Sequence, residues 1–489
     1  MFLTEEMSMG LKRDILIFLS DQHSPLYNKS RGGIVDTPNL DRIQAEGTNF
    51  EEAYTTCPLC VPARMSMLSG LMPSATGILT NNDTLPDLTP TFLHCLVENG
   101  YETVLIGRMH FVGRDQRHGF TKRLAGDITT MGWKKDREML LKERGAYHNC
   151  FGAATCTNQT GGGNSPVQEY DQMVIQEAVQ YLSQAHEKPQ CIVVGTYAPH
   201  FPYAAPTALY EKYKKKVTLP VFFEHQPDYP LSPILKERQK AVTDETALEA
   251  VAAYCGLIEF EDGLIGKVYD AFQNYQKQHH REGYFFYLSD HGDQAGQRRI
   301  YGKNTFFETS SKVPFFVTGP DIPKNRIITA PMSLLDLAPT VCGLTGSEKL
   351  EEWEGIDQSP VLYGGSPDPG RTVRSELIVE HEGQYHFATM IRWKDYKLVS
   401  YHGMESYDLL FDLKSDPKES KNRIGLVPEA GKMKEYLPTP DAASRIEHRQ
   451  QIHDRNARLF RAYEKLVPMD ETEHWGQTSP SAKLEPEIH

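Results

Sequence analysis

Ile15-Leu16-Ile17-Phe18-Leu19 is an unbroken run of apolar residues, and Ser20-Asp21-Gln22 follows it directly. An apolar run of this length is typical of a strand that is buried on both faces, as in a parallel sheet covered by helices. Polar side chains at the carboxyl end of such a strand lie where α/β proteins place their sites. This stretch therefore predicts both the fold class and one edge of a functional site.

The same pattern returns along the chain. Apolar runs at residues 103–106, 191–195, 284–288 and 313–318 alternate with helical patterns such as 91–99 and 248–272. This alternation predicts an α/β fold with a large, mostly parallel central sheet flanked by helices. Three of the runs are followed by side chains that can carry charge or bind a ligand, namely Arg108 with His110, His200, and Asp290 with His291.

The composition limits the class of protein. The chain has 489 residues and a formal net charge of −13, and 39% of its residues are hydrophobic. This length predicts two or three domains, or one large domain with an appendage, and the composition excludes a disordered chain. Because phosphate binding needs a basic face, the acidic balance argues against a nucleic-acid partner. No apolar run approaches the length of a membrane span, so no membrane association is expected.

The N-terminal segment and the cysteines bear on the location of the protein. Glu5 and Glu6 precede any basic segment, and no long apolar segment of the kind found in secretory signals follows them. Eight cysteines in so long a chain do not form a disulfide framework. We therefore expect a cytoplasmic protein, unless a leader has been removed.

A Gly/Pro-rich segment at residues 363–370 predicts a domain boundary. Beyond it, short strands are expected at 376–380, 385–392, 397–401 and 410–413, and a closing helix at 443–466. The sequence thus predicts a larger α/β domain at 1–370 and a small antiparallel α+β domain at 371–489. The last residues are polar and contain proline, which is typical of a tail or of an arm in a homo-oligomer.

Cys57-Pro58-Leu59-Cys60 is a close cysteine pair with more than one interpretation. The plainest is two buried thiols. A redox pair would need a helix to begin after the first cysteine, which Pro58 permits. Half of a zinc site would need a second pair at similar spacing, which the sequence lacks.

Cys60 also begins a longer motif. Residues 60–70 read CVPARMSMLSG and match the pattern C-x-P-x-R-x-x-x-L-[ST]-G, so the chain resembles the type I sulfatases. The resemblance implies an alkaline-phosphatase-like sandwich with a smaller C-terminal antiparallel sheet, and it makes 1–370 the catalytic domain. Further segments resemble the family in the same order along the chain: Asp21-Gln22, Gly107-Arg108-Met109-His110, Pro199-His200-Phe201-Pro202, Asp290-His291-Gly292, Lys303, 334–340 and 410–417.

The family converts the motif cysteine to formylglycine, so the resemblance implies a sulfatase-maturation enzyme as a partner and formylglycine at position 60. The hydrated aldehyde offers one hydroxyl to attack sulfur, which gives a sulfo-enzyme intermediate, and a second to release sulfate. The resemblance also implies one divalent cation. Oxygen-rich ligation favours Ca²⁺, with Mg²⁺ or Mn²⁺ as alternatives. The implied ligands are Asp21, Gln22, the group derived from Cys60, Asp290 and His291.

The resemblance assigns roles to six catalytic residues, the first being Cys60 itself. Arg64 would orient the hydrate. Arg108 and Lys303 would offset charge on the sulfate. His200 or Lys303 would donate the proton to the leaving oxygen, and His110 would act as the base that collapses the intermediate.

Two departures from the family pattern narrow the subset of sulfatases that the chain resembles. Arg108 stands where the family usually has Lys, and Gln22 stands where many members have a second Asp. The Asp-Gln and Asp-His pairs resemble those of choline sulfatases and phosphonate monoester hydrolases. We expect the substrate to be a small organic sulfate, with a sulfated carbohydrate first and choline sulfate next. Phosphonate monoester or phosphodiester hydrolysis remains an alternative, although a cation at 108 beside His110 favours sulfate.

The substrate pocket is the least determined part of the sequence. Trp133 with Glu380 or Glu382 could hold a quaternary ammonium, although core packing is the simpler role for Trp133. The polar loop 147–168, with His148 and Asn149, could instead bind sugar hydroxyls. Two other classes stay open: a catalytically silent binding protein, in which Cys60 would remain a thiol, and a thiol-redox protein that uses Cys57 and Cys60.

Overall fold

A computed structural model describes residues 12–129, 152–464 and 466. Its strands in chain order are β1 (Asp14–Asp21), β2 (Gly47–Phe50), β3 (Ala53–Tyr54), β4 (Glu102–Gly107), β5 (Lys122–Ala125), β6 (Gly161–Gly162), β7 (Gln190–Pro199), β8 (Ala204–Ala205), β9 (Gly283–Ser289), β10 (Phe315–Thr318), β11 (Arg326–Ile328), β12 (Met332–Ser333), β13 (Thr372–His381), β14 (Gln384–Trp393), β15 (Tyr396–Tyr401) and β16 (Leu409–Asp412).

Its α-helices in chain order are α1 (Pro38–Ala45), α2 (Cys60–Ser69), α3 (Pro73–Thr76), α4 (Phe92–Glu98), α5 (Pro166–Leu182), α6 (Thr207–Lys214), α7 (Pro233–Glu237), α8 (Asp244–His279), α9 (Glu308–Ser311), α10 (Leu337–Thr345), α11 (Ser359–Leu362), α12 (Glu429–Lys434) and α13 (Pro440–Glu464).

The central sheet has eight strands in the order β11-β2-β10-β9-β1-β7-β4-β5. Strands β9, β1, β7, β4 and β5 are parallel neighbours, which confirms the predicted mostly parallel sheet. The run at 313–318 forms β10, which pairs antiparallel with both β9 and β2. An apolar run has the same appearance in either direction, so the sequence pattern could not indicate this reversal.

Strand β1 shows how the apolar run builds two cores. Ile15, Ile17 and Leu19 face one core, which also contains side chains of α2, α4 and α10. Leu16 and Phe18 face the other core, with side chains of α1, α5 and α8. Since side chains alternate along a strand, a sheet covered on both faces needs apolar residues at every position of the run from Ile15 to Leu19.

The second sheet, β13-β14-β15-β16, is antiparallel throughout, as predicted for the small C-terminal unit. Its first strand begins two residues after the Gly/Pro-rich segment ends. Apolar residues of β13–β16 pack with Tyr54, Phe306 and Phe307 of the larger part. Lys397 on β15 also bonds Glu308 on α9, with 2.8 Å between Nζ and Oε1. The small sheet is therefore held against the larger part of the chain by both apolar contacts and a buried ion pair.

Candidate active site

The carboxyl edge of the parallel strands gathers side chains from distant parts of the chain. Asp21 ends β1, Arg108 follows β4, His200 follows β7 and Asp290 follows β9. Neighbouring parallel strands bring these positions together, because all carboxyl ends meet at one edge. The predicted site residues are all buried in the structure: Asp21, Gln22, Cys60, Arg64, Arg108, His110, His200, Asp290, His291 and Lys303.

Helix α2 presents Cys60 at its first position. The extended Leu59 precedes it, and Gly70, whose φ is +68°, follows the last residue of the helix. A Cβ on Gly70 would lie 2.6 Å from the ring of Trp353, so the final glycine of the motif has a steric role. The amide of Val61 donates to Oδ1 of Asn81 at 3.0 Å. These contacts fix the first turn and leave the Cys60 side chain facing the strand ends.

Arg64, one turn along α2, links two carboxylates. Its Nε donates to Asp290 Oδ2 at 2.8 Å, and its Nη2 donates to Asp21 Oδ2 at 3.1 Å. Both ion pairs are fully buried, so geometry matters more than charge alone. Burial would raise the pKa of Asp21, but the positive charges of Arg108 and its other cationic neighbours hold it well below its usual value. Asp21 is therefore an anion in the folded chain.

A group of possible metal ligands lies around Cys60. The ligand atoms of Asp21, Cys60, Asp290 and His291 all lie within 4.8 Å of one another. Nδ1 of His291 donates to the carbonyl oxygen of Gly292 at 3.0 Å, since a carbonyl can only accept. The neutral ring therefore keeps its lone pair on Nε2, which lies 3.3 Å from Cys60 Sγ. Two carboxylates and an imidazole nitrogen fit a divalent cation.

Gln22 lies beside this group with its amide held at both ends. Its Nε2 donates to Asp293 Oδ2 at 2.5 Å, and its Oε1 accepts from Lys303 Nζ at 2.9 Å. Because an amide oxygen has two lone pairs, Oε1 can keep the Lys303 bond and still face a cation. Asp293 was not among the predicted site residues, although it lies in the same loop as His291.

Lys303 contacts position 60 directly. Its Nζ lies 2.9 Å from Cys60 Sγ and 4.0 Å from Asp21 Oδ1. Burial and Asp21 raise the pKa of the Cys60 thiol, and Lys303 is among the neighbours that lower it; the net shift of this pKa is downward. An ammonium group is thus positioned to stabilise negative charge on the atom that position 60 carries.

Arg108 makes the densest set of contacts in the site. Its Nε donates to Asp21 Oδ2 at 2.7 Å, its Nη1 donates to Asp127 Oδ1 at 3.3 Å, and its Nη2 lies 2.9 Å from His110 Nδ1. The guanidinium also lies over the ring of Tyr197, 4.1 Å from its centroid. A lysine has a single ammonium group and could not make these separate contacts. The arginine at position 108 therefore gives this part of the site a contact geometry that the family's usual lysine could not give.

Sequence reasoning did not assign Asp127 to the site. Its Oδ2 accepts from the backbone N–H of His110 at 3.0 Å, while Oδ1 binds Arg108. Burial would raise the pKa of Asp127, but Arg108 and the hydrogen bonds from Thr129 together hold it below its usual value, so this carboxyl is also an anion. Asp127 follows β5, a four-residue strand without an apolar run, and this weak pattern gave no signal.

The two candidate catalytic histidines are neutral in the folded chain. Burial, together with Arg108, lowers the pKa of His110. Burial, together with Lys303, lowers the pKa of His200 well below its usual value. Nδ1 of His200 donates to the carbonyl oxygen of Phe201 at 2.6 Å, so its Nε2 bears the lone pair.

Cys57 has surroundings unlike those of Cys60. Both are free and buried, but burial and Glu376 raise the pKa of the Cys57 thiol well above its usual value. A buried thiol of this kind is unreactive. The redox interpretation, which needs two reactive thiols, therefore has no support from this geometry.

The residues suggested for substrate recognition divide into two groups. Trp133, His148 and Asn149 lie outside the described residues. Glu380 and Glu382 are exposed around the β13–β14 turn. Between them, His381 pairs with Glu237 on α7 at 2.8 Å.

Comparison with known proteins agrees with the fold and the motif. The model of the family described as Sulfatase matches residues 13–347. A model described as N-sulphoglucosamine sulphohydrolase, C-terminal, matches residues 296–437. An alkaline-phosphatase-like α/β sandwich with this site defines a class of hydrolases. Within that class, the chain belongs to the sulfatase family and is a sulfuric ester hydrolase.

Individual relatives place the chain near the predicted subset. It is 31% identical to the choline-sulfatase of Rhizobium meliloti (strain 1021) over 84% of this chain and 82% of that protein. The phosphonate monoester hydrolase of Agrobacterium radiobacter superposes with a TM-score of 0.70 at 20% identity, over 90% of this chain and 96% of that one. A structure in complex with its substrate D-glucosamine-2-N,6-O-disulfate superposes with a TM-score of 0.65 at 19% identity, over 94% and 99%.

Among the helices in the described part of the chain, none combines the length and the apolar character of a membrane span.

Proposed function

We propose that this sulfatase hydrolyses the sulfate ester of a sulfated carbohydrate through formylglycine at position 60, a sulfo-enzyme intermediate and one divalent cation. The observation that carries the proposal is the convergence on Cys60 of Asp21, Asp290 and His291 within 4.8 Å. Lys303 adds an ammonium group 2.9 Å from the sulfur of Cys60. The proposal includes a maturation enzyme that oxidises the Cys60 thiol to the aldehyde.

The cation would be held by Asp21, Asp290 and His291, with the group at position 60 and Oε1 of Gln22 as further ligands. Such a cation supplies charge that makes a bound hydroxyl more nucleophilic and polarises sulfate oxygens. Ca²⁺ suits the two carboxylates, while the imidazole of His291 also admits Mg²⁺ or Mn²⁺.

The chain itself supplies the rest of the electrostatics. Three cations, Arg64, Arg108 and Lys303, lie among the buried carboxylates Asp21, Asp127 and Asp290. These charges balance, so a divalent cation would leave the site positive and ready for a sulfate ester anion. In this arrangement Arg64 holds two carboxylates in place, while Arg108 and Lys303 offset charge on the sulfate.

Proton donation to the leaving oxygen falls to Lys303 in this proposal. His200 was the other candidate, but its Nδ1–H is held by the carbonyl of Phe201, and the neutral ring presents a lone pair at Nε2. An ammonium group always carries a proton to give, and that of Lys303 already reaches position 60. His200 then serves as a polar neighbour of the sulfate.

The substrate class is supported by the small domain. The match to the C-terminal model of N-sulphoglucosamine sulphohydrolase covers residues 296–437, which include Lys303 and the second sheet. A structural neighbour carries a disulfated glucosamine as its substrate. Choline sulfate is the second candidate, favoured by the 31% identity to a choline-sulfatase.

The experiment has two parts. Mass spectrometry of the peptide that contains residue 60, from cells with a maturation enzyme, should show the aldehyde. The converted protein should then be assayed on sulfated mono- and disaccharides, choline sulfate and a phenyl phosphonate, and we expect the fastest turnover on a saccharide. Faster turnover of choline sulfate would select the second candidate, and faster turnover of phosphonate would overturn the proposal.

Two neighbouring cysteines provide a matched control. Cys60→Ser should abolish turnover, whereas Cys57→Ser should retain it, because Cys57 has no role in the proposed reaction. A thiol at position 60 in cells with the maturation enzyme would favour a silent binding protein instead. The cytoplasmic location, the oligomeric state and the boundary at residue 370 stay predictions.

A further inference from the structure

Strand β7 leaves the regular ladder of the central sheet just before the active site. Its pairing with β4 ends at Gly195, and its pairing with β1 jumps from Gly195, opposite Leu19, to Pro199, opposite Asp21. Residues 196–198 of β7 therefore stand where β1 has one residue, an irregularity of the β-bulge type. We call these three residues the β7 bulge. Because buried backbone N–H groups need acceptors, those of the bulge must find them outside the ladder.

Asp171 on α5 supplies two of these acceptors. Its Oδ1 accepts from the N–H of Tyr197 at 2.7 Å, and its Oδ2 accepts from the N–H of Ala198 at 2.8 Å. Asp171 is fully buried, so both of its oxygens serve consecutive residues of the bulge. An asparagine has the same shape but only one oxygen, and it could not reproduce both contacts.

Glu261 on α8 holds the first residue of the bulge in a different way. Its Oε1 accepts from Thr196 Oγ1 at 2.5 Å, a contact with a side chain and not with the backbone. Burial raises the pKa of Asp171 to about 7 and raises that of Glu261 well above its usual value. Two N–H donors favour the ionised form of Asp171, so the negative charge of this pair belongs to Asp171.

The bulge brings the ring of Tyr197 into the active site. The ring centroid lies 4.1 Å from the guanidinium carbon of Arg108 and 5.1 Å from the centroid of the His200 ring, which it meets edge to face. A cation over an aromatic face is attracted to it, and the buried ring also closes one side of the guanidinium. The placement of Tyr197 therefore limits where Arg108 and His200 can lie.

We propose that Asp171 is a positioning residue of the active site, which holds the β7 bulge so that the ring of Tyr197 keeps Arg108 and His200 in place. This inference rests on the proposed function, in which Arg108 offsets charge on the sulfate. Asp171 acts only through the backbone of Tyr197 and Ala198. Its role is thus to fix geometry, on which the rate of a positioned reaction depends steeply.

Two substitutions break this route at different points. Asp171→Asn turns an amide N–H toward one of the two backbone donors, whereas Tyr197→Leu removes the ring and keeps the backbone N–H. We expect each to lower kcat/KM about 10- to 100-fold. The double variant should stay within about threefold of the weaker single variant, because both changes remove the same contact with Arg108.

Two kinetic outcomes would overturn the inference. If the two losses multiply in the double variant, Asp171 acts by a route other than the ring of Tyr197. If Tyr197→Leu keeps the kcat/KM of the wild type, the ring does not hold the site, and this result needs no folded Asp171→Asn protein. The aldehyde content of each variant is measured first, so that a maturation defect is not mistaken for a catalytic one.

Glu261→Gln is the matched control, because it also changes a buried carboxyl that contacts the bulge. Its amide oxygen can still accept from Thr196, so kcat/KM above the pKa of Asp171 should stay within about twofold of the wild type. An equal loss in Glu261→Gln and Asp171→Asn would mean that any change beneath the bulge disturbs the site, and it would remove the particular role of Asp171.

A further measurement does not depend on turnover. The Nε–H of Arg108 donates to Asp21 at 2.7 Å, and the ring current of Tyr197 shifts its proton signal in spectra of the enzyme with ¹⁵N-labelled arginine. The signal is assigned by its loss in Arg108→Lys. Tyr197→Leu and Asp171→Asn should both move it in the same direction, whereas Glu261→Gln should leave it in place.

An unchanged Arg108 signal in folded Asp171→Asn would overturn the inference, since the ring would then keep its place without the carboxylate. The same spectra separate this inference from the proposed function. If the converted wild type hydrolyses no sulfate ester, the proposed function fails, while the Arg108 signal still decides whether Asp171 places Tyr197 against Arg108.

Discussion

The side-chain amide of Gln22 donates a 2.5 Å hydrogen bond to Asp293, and both groups are fully buried. This contact fixes the orientation of the amide, so that the oxygen of Gln22 faces Lys303. Asp293 is held in turn by the backbone N–H groups of Ala295 and Gly302, at 2.7 and 2.9 Å. The residue that replaces a second aspartate is therefore part of a rigid pair.

Exchanging the two groups of this pair tests whether the contact matters. Gln22→Glu places two carboxylates in contact, and Asp293→Asn places two amide groups in contact. Each change should destabilise the chain, by about 3–5 kcal/mol for the buried charge pair. The double variant Gln22→Glu/Asp293→Asn restores a donor and an acceptor, and urea unfolding should show a favourable coupling energy of about 1–3 kcal/mol. Strictly additive effects would show that the two residues act independently.

Much of the site could be predicted because its chemistry is recorded in short motifs. Asp21 follows an apolar run, and Cys60 and Arg64 are one helical turn apart. Each of these relations is local, so spacing alone indicates which face of which element carries the side chain. The parallel order of β9, β1, β7 and β4 then brings the motifs to one edge.

The rest depends on tertiary contacts that no local pattern records. Asp127 belongs to the site only because β5 lies beside β4 in the sheet. Asn81 supports Cys60 only because its loop returns to the start of α2. The 2.9 Å contact between Arg108 Nη2 and His110 Nδ1 depends on the reach of an arginine, which a motif match treats as a substitute for lysine.

Arg64 should not tolerate lysine. The guanidinium spans Asp21 and Asp290 with two different nitrogens, and a single ammonium cannot reproduce both contacts. We expect Arg64→Lys to lower kcat at least about 100-fold and to destabilise the chain by about 3 kcal/mol, since one buried carboxylate loses its partner. Steady-state kinetics and urea unfolding measure the two effects. Arg42→Lys, which changes an exposed ion pair with Asp270, is the matched control.

Metal removal should weaken the folded state as well as the activity. In the proposed metal site, Asp21, Asp290 and His291 would lose a shared counter-charge when the cation leaves, so chelation should abolish turnover. Restoring free cation at about 100 times its dissociation constant should add about 2.7 kcal/mol of stability. Thermal unfolding with Ca²⁺, Mg²⁺ or Mn²⁺ added back measures this effect and ranks the metals. Asp290→Asn should remove the response, whereas Asp41→Asn, at an exposed position on α1, should keep it.

Glu261 gives the stability of the protein a pH dependence. It lies buried on α8, with Thr196 Oγ1 donating to its Oε1 at 2.5 Å. Burial and Asp171 raise the pKa of Glu261 well above its usual value. The folded chain therefore keeps a proton that the unfolded chain releases above about pH 4.3. As the pH rises above that value, the stabilisation that this proton gives to the folded chain is progressively lost. The loss ends once the pH has passed the raised pKa of Glu261.

The variant Glu261→Gln removes this effect, because a neutral amide replaces a neutral acid. Between about pH 6 and pH 8, the unfolding free energy of the wild type relative to Glu261→Gln should fall by up to about 1.4 kcal/mol per pH unit. Urea unfolding at several pH values measures it. Glu245→Gln, at an exposed position on the same helix, should show no such trend. A constant difference across this range would mean that Glu261 is ionised in the fold.

Asp127 lies outside the sulfatase motif, and a substitution there tests whether it belongs to the active site. Its two oxygens hold the guanidinium of Arg108 and the backbone of His110, so an amide at this position must turn an N–H toward one of these donors. Asp127→Asn should therefore lower kcat about 100-fold through misplacement of both groups, and it should destabilise the chain by about 2–4 kcal/mol.

The control is Asp115→Asn, which changes a partly exposed carboxylate that pairs with His118 in the same region. Because Asp127 contacts Arg108 and the backbone of His110, we expect it to act by placing these groups, and KM should change much less than kcat. A variant that loses stability but keeps the kcat of the wild type would restrict Asp127 to a structural role and would separate the stability of this loop from the placement of Arg108.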